Sequence, residues 1–403
     1  MSRVTDPRVP SLHLGFAVDG FGQHPAARRV GQSGAGTDPR TYVAWAQTAE
    51  AGLFDFVILD DAFVVRSNAT HLDLNESAPP QLDSLLTLAR VAPLTSSIGL
   101  VASINTIHTE PFNIAKNIGT LDWVSGGRAG WQPTVTTEDA EYALFGRRER
   151  GTAALLQREA AEVIDVVSRL CDSWEDGAII RDRATGRYLD RDQVHHVDFE
   201  GEFFRVRGPS ITPRSPQGQP LVMLDAGPVA SADHPAAADN AVRWADVIFV
   251  DAATPEILRE RRSRLRDGVT ASGRDPDQVF VMARIEVFLG QTAAAATTEL
   301  AALHAVTPWP PKPSRPRFVG GAGDMAPKLV EWAQRSDVDG FVVTPARLPD
   351  DLDCFVEKVV PMLQQEGLFR TAYEGKQLRD HFGLSRPLNR YAPGDRRPEG
   401  ASS

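Results

Sequence analysis

The sequence predicts one (β/α)8 barrel of the TIM type, with an inserted hairpin-containing segment and a C-terminal extension. Three observations lead there. Eight short β-branched or apolar runs recur with helical-period segments between them, and several of those runs are apolar on both faces. At 403 residues the chain also suits a single barrel enlarged by insertions. Barrel strands are covered by helices outside and packed by side chains inside, so they read as nearly continuous apolar runs. An open doubly wound sheet is the alternative, but no G-x-G-x-x-G follows the first strand.

The first strand is "LHLGFAV" (12 to 18). It precedes "PRTYVAWAQTAEAGL" (39 to 53), where Tyr42, Trp45, Ala46 and Ala49 fall on one helical face. "FDFVILD" (54 to 60) leads through a long polar loop to the helical "LDSLLTLARVAPL" (82 to 94). "IGLVASI" (98 to 104) leads to "PFNIAKNIGTLDWV" (111 to 124), where Pro111 suits a first helical turn. "RAGW" (128 to 131) is the fourth strand, and a helix follows around 152 to 172. Strands resume at "LVMLDA" (221 to 226), "DVIFVDA" (246 to 252), "VFVMARIEVFLG" (279 to 290) and "GFVVTP" (340 to 345), with helices centred near 240, 262, 297, 330 and 357.

The remaining segments fall outside this repeat. Residues 1–10 read as a flexible leader before a barrel spanning 11–368. About 175–219 is a turn-rich insertion containing the hairpin-like "HHVDFEGEFFRVRG". "VTPWPPKPSRPRFV" (306 to 319) holds five prolines and reads as a short bridging loop. The polar extension 369–403 is expected to wrap the outside and to be disordered after about residue 393.

Composition narrows the function classes. No apolar run approaches bilayer-spanning length, and the N-terminus has no signal-peptide pattern, so a cytoplasmic protein is expected. Cys171 and Cys354 are too few for a disulfide framework and lack metal-ligand spacing. With a net charge of −10 and no long Lys/Arg run, the chain is a poor nucleic-acid partner, and a small-molecule site is favoured.

Ligand-binding residues of such barrels lie at the strand C-termini. The turn Ser125-Gly126-Gly127-Arg128 feeds the opposite end, so it serves the fold, while the strand it starts carries Trp131 and Gln132 toward the site. Asp60 and Asp61 end the second strand on opposite faces and cannot act as a pair; one could orient a polar ligand or cap a helix. Ser103, Asn105 and His108 follow the third strand. His108 is the candidate catalytic residue, able to donate to a carbonyl or a bound oxygen species, with a surface histidine as the plainer reading. The loop after the fifth strand, "DAGPVASADHPAAADN", offers Gly227, Ser231 and backbone N–H groups at a helix start for a phosphate, against the negative charge of Asp225, Asp233 and Asp239. Phe16, Phe21, Phe63, Trp131 and Phe288 could line an apolar pocket or belong to the core.

"EPFNIAKNIGTLDWVSGGRAGW", "FDFVILDD", "DAEYALFG", the long insertion and "LFRTAYEGKQLRDHFGL" together resemble the bacterial-luciferase-like flavin monooxygenases. The branch is the one containing nitrilotriacetate, pristinamycin and dibenzothiophene-sulfone monooxygenases. The resemblance implies a (β/α)8 barrel that uses reduced FMN from a separate NAD(P)H-dependent flavin reductase, with O2, to oxygenate a small substrate, in a homo-oligomer. It implies that Asp61 is the carboxylate near the flavin, that Ser103 to Asn105 lie beside the isoalloxazine, and that Gln132 stands where the family has Asn. Gly227 is similar to the first glycine of the FMN phosphate loop, with Ser231 further along it.

The chain departs from the family's Q-A-G-x-S-x-x-G by a longer phosphate loop without the second glycine, and a Tyr common in the family reads Gln157. The family's "WNVVTS" is "WQPTVT" here, and the segment between the seventh and eighth strands is short. Two alternatives keep the fold: deazaflavin F420 with hydride transfer, or a non-catalytic ligand-binding paralogue.

Overall fold

Alternation along each strand builds the core. In Phe56–Leu59, Phe56 and Ile58 join one apolar cluster, whereas Val57 and Leu59 join another. The first cluster is the inside of a closed cylinder and the second is the layer between strands and helices. The computed structural model describes residues 12–18, 22–27, 35–61, 82–136, 138–227, 235–309 and 315–392. Its eight barrel strands are β1 (His13–Val18), β2 (Phe56–Leu59), β3 (Gly99–Asn105), β4 (Ala129–Thr134), β5 (Leu221–Asp225), β6 (Val247–Val250), β7 (Phe280–Gly290) and β8 (Gly340–Pro345). All pair in parallel in the ring β1-β2-β3-β4-β5-β6-β7-β8, which β8 closes back onto β1.

The helices include α1 (Pro39–Ala51), α2 (Ser84–Val91), α3 (Pro111–Ser125), α4 (Asp139–Phe145), α5 (Ala153–Asp172), α6 (Pro235–Trp244), α7 (Pro255–Ala271), α8 (Ala293–Val306) and α9 (Ala322–Ser336), with helical turns over 350–365 after β8 and a short helix Leu378–His381 in the extension. Several start where a side chain can accept an orphan N–H. Asp83, Thr152, Thr254 and Thr292 accept from Leu86, Leu155, Ile257 and Ala295 respectively. Helix α4 was not anticipated, being too short to show helical periodicity.

Three expectations are corrected. The proline-rich 306–319 is not a bridging loop throughout, because Val306 ends α8 and Arg317–Gly321 forms a further parallel strand on the outer half of β7. Prolines at 310, 311 and 313 lie outside the described residues, and from Arg317 onward nothing prevents ladder pairing. Trp131 does not reach the site. It is 1% exposed and points outward into the layer under the helices, because one residue on from the inward-facing Gly130 reverses the face.

Third, the C-terminal extension does not merely wrap the outside. Leu378, Phe382 and Leu384 insert into the N-terminal end of the barrel and pack with the interior Phe56, Val101, Leu221 and Met282. A β-carbon on Gly130 would stand 3.2 Å from Leu378 Cδ2, so that small residue makes room for the plug. Residues further on do lie on the surface. There Arg386 pairs with Asp176 and Asn389 Nδ2 donates to the Asp172 carbonyl at 2.8 Å, which ties the extension to the insertion. The insertion holds two antiparallel hairpins, Ile179–Asp182 with Arg187–Leu189 and Phe199–Glu200 with Arg205–Val206.

The Ser125-Gly126-Gly127-Arg128 turn shows its structural task. Gly126 and Gly127 take φ of 72° and 96°, a left-handed conformation that side chains resist. Arg128 is buried and donates to the carbonyls of Ala92, Thr95, Ile98 and Ser125. The Gly127 carbonyl accepts from Leu378 N at 2.9 Å, so the turn receives the plug rather than a ligand. A β-carbon on Gly127 would meet Gln377 Cγ at 2.8 Å in addition to its backbone strain. Gly127→Val is therefore expected to lose at least about 1 kcal/mol of stability, read as a lower melting temperature with ligand affinity unchanged at a temperature where the variant is folded. A fully stable variant with weakened ligand binding would assign the turn to the site.

Candidate active site

With the N-terminal end plugged, the other end of the cylinder is left for chemistry. A cavity of about 210 Å3 lies over the barrel interior at the strand C-termini. Its floor is apolar, made by Ala17, Ile58, Phe249 and Val342, and Asp60, Gln132, Thr344, Arg284 and Arg315 stand around it. A larger hollow of about 490 Å3 lies between the charged flanks of α7 and α9, lined by Glu256, Arg259 and Arg335. It is a solvated surface remote from the strand ends, and the smaller cavity is the candidate site.

Of the residues predicted from sequence, the structure brings two together. Ser103 Oγ donates to Gln132 Oε1 at 3.0 Å, joining β3 to β4, and Gln132 faces the cavity. Asp60 faces the same space, while Asp61 turns away and accepts from the Ser84 N–H at 3.2 Å where α2 begins. Burial raises the Asp61 carboxyl above its usual range, with Asp83 and Asp60 adding like charge. Asn105 organises its own loop. Its Oδ1 accepts from the backbone N–H of Ile107 and His108 at 2.9 and 3.0 Å, and its Nδ2 donates to Thr136 Oγ1.

His108 does not line the cavity. Its ring stacks on Phe145 of α4 at 4.0 Å and meets Tyr142 edge-on at 5.1 Å. Burial, together with Arg148, lowers its pKa and favours the neutral imidazole. Gly227 has φ of 73° and donates its N–H to Asp225 Oδ1 at 2.9 Å. Ser231, Phe21 and Phe63 lie outside the described residues. Phe16 packs outside the barrel strands, and Phe288 packs with Trp309 and Leu303. Gln157 joins α5 to α6 by accepting from Asn240 Nδ2 at 2.8 and 3.0 Å through its carbonyl and side-chain oxygens.

The strongest feature of the site was missed in the sequence. Arg284, inward on β7, holds Asp225 at 2.5 Å through Nη1 and Asp251 at 2.8 Å through Nε. Arg315 reaches the same Asp251 with Nε and Nη2 at 3.0 and 3.2 Å. Burial disfavours the Asp251 charge, but Arg284 and Arg315 outweigh it and hold the carboxyl below its ordinary range. Burial likewise opposes the Arg284 charge, and the two aspartates reverse this and keep it protonated. The fully buried Glu286, two residues on, pairs with Arg317 at 2.8 Å, whose guanidinium lies 3.5 Å over Trp309. One signal was available: in "VFVMARIEVFLG" the two charges stand at i and i+2, on one face of an otherwise apolar strand.

Residues 21–346 match the family described as luciferase-like monooxygenase. The chain belongs to the luciferase-like monooxygenases. This luciferase-like monooxygenase is similar to N-acetyl-S-(2-succino)cysteine monooxygenase of Bacillus subtilis (strain 168), with 30% identity over 94% of the chain and 98% of the relative. It is similar also to nitrilotriacetate monooxygenase component A of Aminobacter aminovorans, with 29% identity over 94% and 98%. Riboflavin lyase, solved with a modified FMN and riboflavin, superposes with a TM-score of 0.84 at 24% identity, covering 94% of this chain and 97% of that one. This last likeness is one of fold. Among its described residues the luciferase-like monooxygenase has no helix long and apolar enough to cross a membrane and no cluster of three or more His, Cys, Asp or Glu side chains able to hold a metal ion.

Proposed function

We propose that the protein is the oxygenase component of a two-component monooxygenase. It takes reduced FMN from a separate NAD(P)H-dependent reductase and uses O2 to oxygenate a small organic substrate. The observation that carries this reading is the strand-end cavity, closed from below and apolar at its floor, with a few convergent polar side chains at its wall. Such a site suits a planar ring held at its polar edge. The designation of the similar nitrilotriacetate enzyme as a component A supports a partner reductase.

Bound reduced FMN would supply the electrons that activate O2. The chain's own residues bind, orient and exclude water. Ile58, Phe249 and Val342 form the apolar floor on which a bound ring would lie and would exclude water from beneath it. Gln132, whose Oε1 is held by Ser103 Oγ, would offer its amide nitrogen to a polar edge of the bound ring. Asp60 stands across the same space and is better placed than Asp61 to meet a ligand. We place Gly227 at the start of the phosphate grip, although its N–H is committed to Asp225.

The test is O2 uptake by the purified protein with NADH, FMN and a flavin reductase of independent source. Uptake is expected to accelerate with a productive substrate and to yield oxygenated product in step with the O2 consumed. Uptake that ends wholly as H2O2 with every thioether, sulfone and amino acid derivative tried would contradict the proposal.

A further inference from the structure

The arginines at the cavity wall present donors without surplus positive charge. Arg284 is balanced by Asp225 and Asp251, and Arg315 shares Asp251 with it. Two guanidinium groups thus meet two carboxyl groups, and a ligand carboxylate entering here would find its hydration replaced by no net positive charge, an unfavourable exchange. Yet donor capacity remains. Among the described residues Arg284 Nη2, Arg315 Nη1 and Gln132 Nε2 make no hydrogen bond, and all three side chains line the cavity.

Both arginine side chains stay partly accessible from the cavity, so an entering acceptor can replace water at their spare N–H groups. The planar fork also has a fixed direction, here set by the bonds to Asp225 and Asp251, so the spare N–H groups are pre-aimed. The geometry points to a neutral-acceptor subsite: Arg284 and Arg315, clamped by Asp225 and Asp251, recognise the carbonyl edge of an uncharged ligand such as an imide or amide, and the site disfavours polycarboxylates. This rests on the strand-end cavity being the ligand site proposed above. Two sources carry that chemistry, the dioxopyrimidine edge of a flavin and a carbonyl-bearing substrate.

The test is calorimetric titration of the full-length protein with phthalimide and with phthalate, an uncharged and a dianionic ligand on the same ring, with and without saturating FMN. Phthalimide is expected to bind at least tenfold more tightly than phthalate. Arg315→Leu should weaken phthalimide tenfold or more at a temperature where the variant is folded, and Arg315→Lys should recover part of the loss. If FMN displaces phthalimide and Arg315→Leu weakens FMN instead, the donor wall stands with the flavin as its ligand. Phthalate binding as tightly as phthalimide overturns the inference, as does failure of phthalimide to bind, or an Arg315→Leu variant that leaves both phthalimide and FMN affinities untouched. Loss of the flavin reading alone would show differently, as no FMN binding with the phthalimide preference intact.

Discussion

Replacing Asp55 with Ala is expected to destabilise the protein by about 3–5 kcal/mol, the largest effect anticipated for a single side chain outside the catalytic end. Asp55 is fully buried just before β2 and accepts from the Leu14 N–H at 2.7 Å, from His13 Nδ1 at 2.9 Å and from Arg370 Nη2. It therefore joins β1 to the start of the C-terminal extension. The variant leaves Arg370 as a poorly compensated charge and Leu14 as an orphan donor in the same small space. Burial alone would raise the Asp55 carboxyl, but His13 and Arg370 prevail and hold it below the ordinary range. For a carboxyl depressed in the folded state, the stabilisation is present above the unfolded pKa and lost as pH falls through the folded one. Chemical denaturation across pH should show the gap between wild type and Asp55→Asn fully open at neutral pH and closing below the ordinary carboxylate range. A gap independent of pH would mean that the carboxylate charge contributes nothing there.

Leu378→Ala is expected to cost about 2–5 kcal/mol, because it opens a void at the base of the barrel among Phe56, Val101 and Leu221. Leu378 is completely buried, and its methyl groups occupy the space left by Gly99 and Gly130. The two small residues and the plug should therefore be coupled energetically. Gly130→Ala alone is expected to destabilise slightly, since its new methyl would stand 3.2 Å from both Leu378 and Val101. In the Leu378→Ala background the same methyl fills part of the void, so the double variant should be more stable than the two single losses combined would give. Additive losses in urea melts would indicate that the extension packs elsewhere.

How far these contacts were legible in the sequence follows from what alternation can show. The strands beginning at residues 13, 56, 99, 129, 221, 247, 280 and 340 were readable because each is short, apolar and bounded by turn residues. Alternation reveals two faces but not which one lies inside. Trp131 was thus placed toward the site together with Gln132, of which only Gln132 faces inward. The plug could not be read, since Leu378, Phe382 and Leu384 sit in a polar stretch and only the closed barrel gives them a place. The further strand from Arg317 was hidden by the prolines before it.

The site was legible in part for the same reason. Ser103 and Gln132 meet because neighbouring parallel strands bring their ends level. Pairing Arg284 with Asp225 and Asp251 needs the order of β5, β6 and β7 around the ring, which a single strand pattern does not contain. The charges of β7 nonetheless announced a polar requirement inside an apolar cylinder.

The central claim is that the strand-end cavity clasps a reduced flavin. It is tested most directly by anaerobic titration of the purified protein with FMNH2 and, in parallel, with reduced F420. The account predicts saturable FMNH2 binding with a micromolar dissociation constant and no comparable F420 binding. Tight F420 binding without FMNH2 binding, or binding of neither, would contradict it.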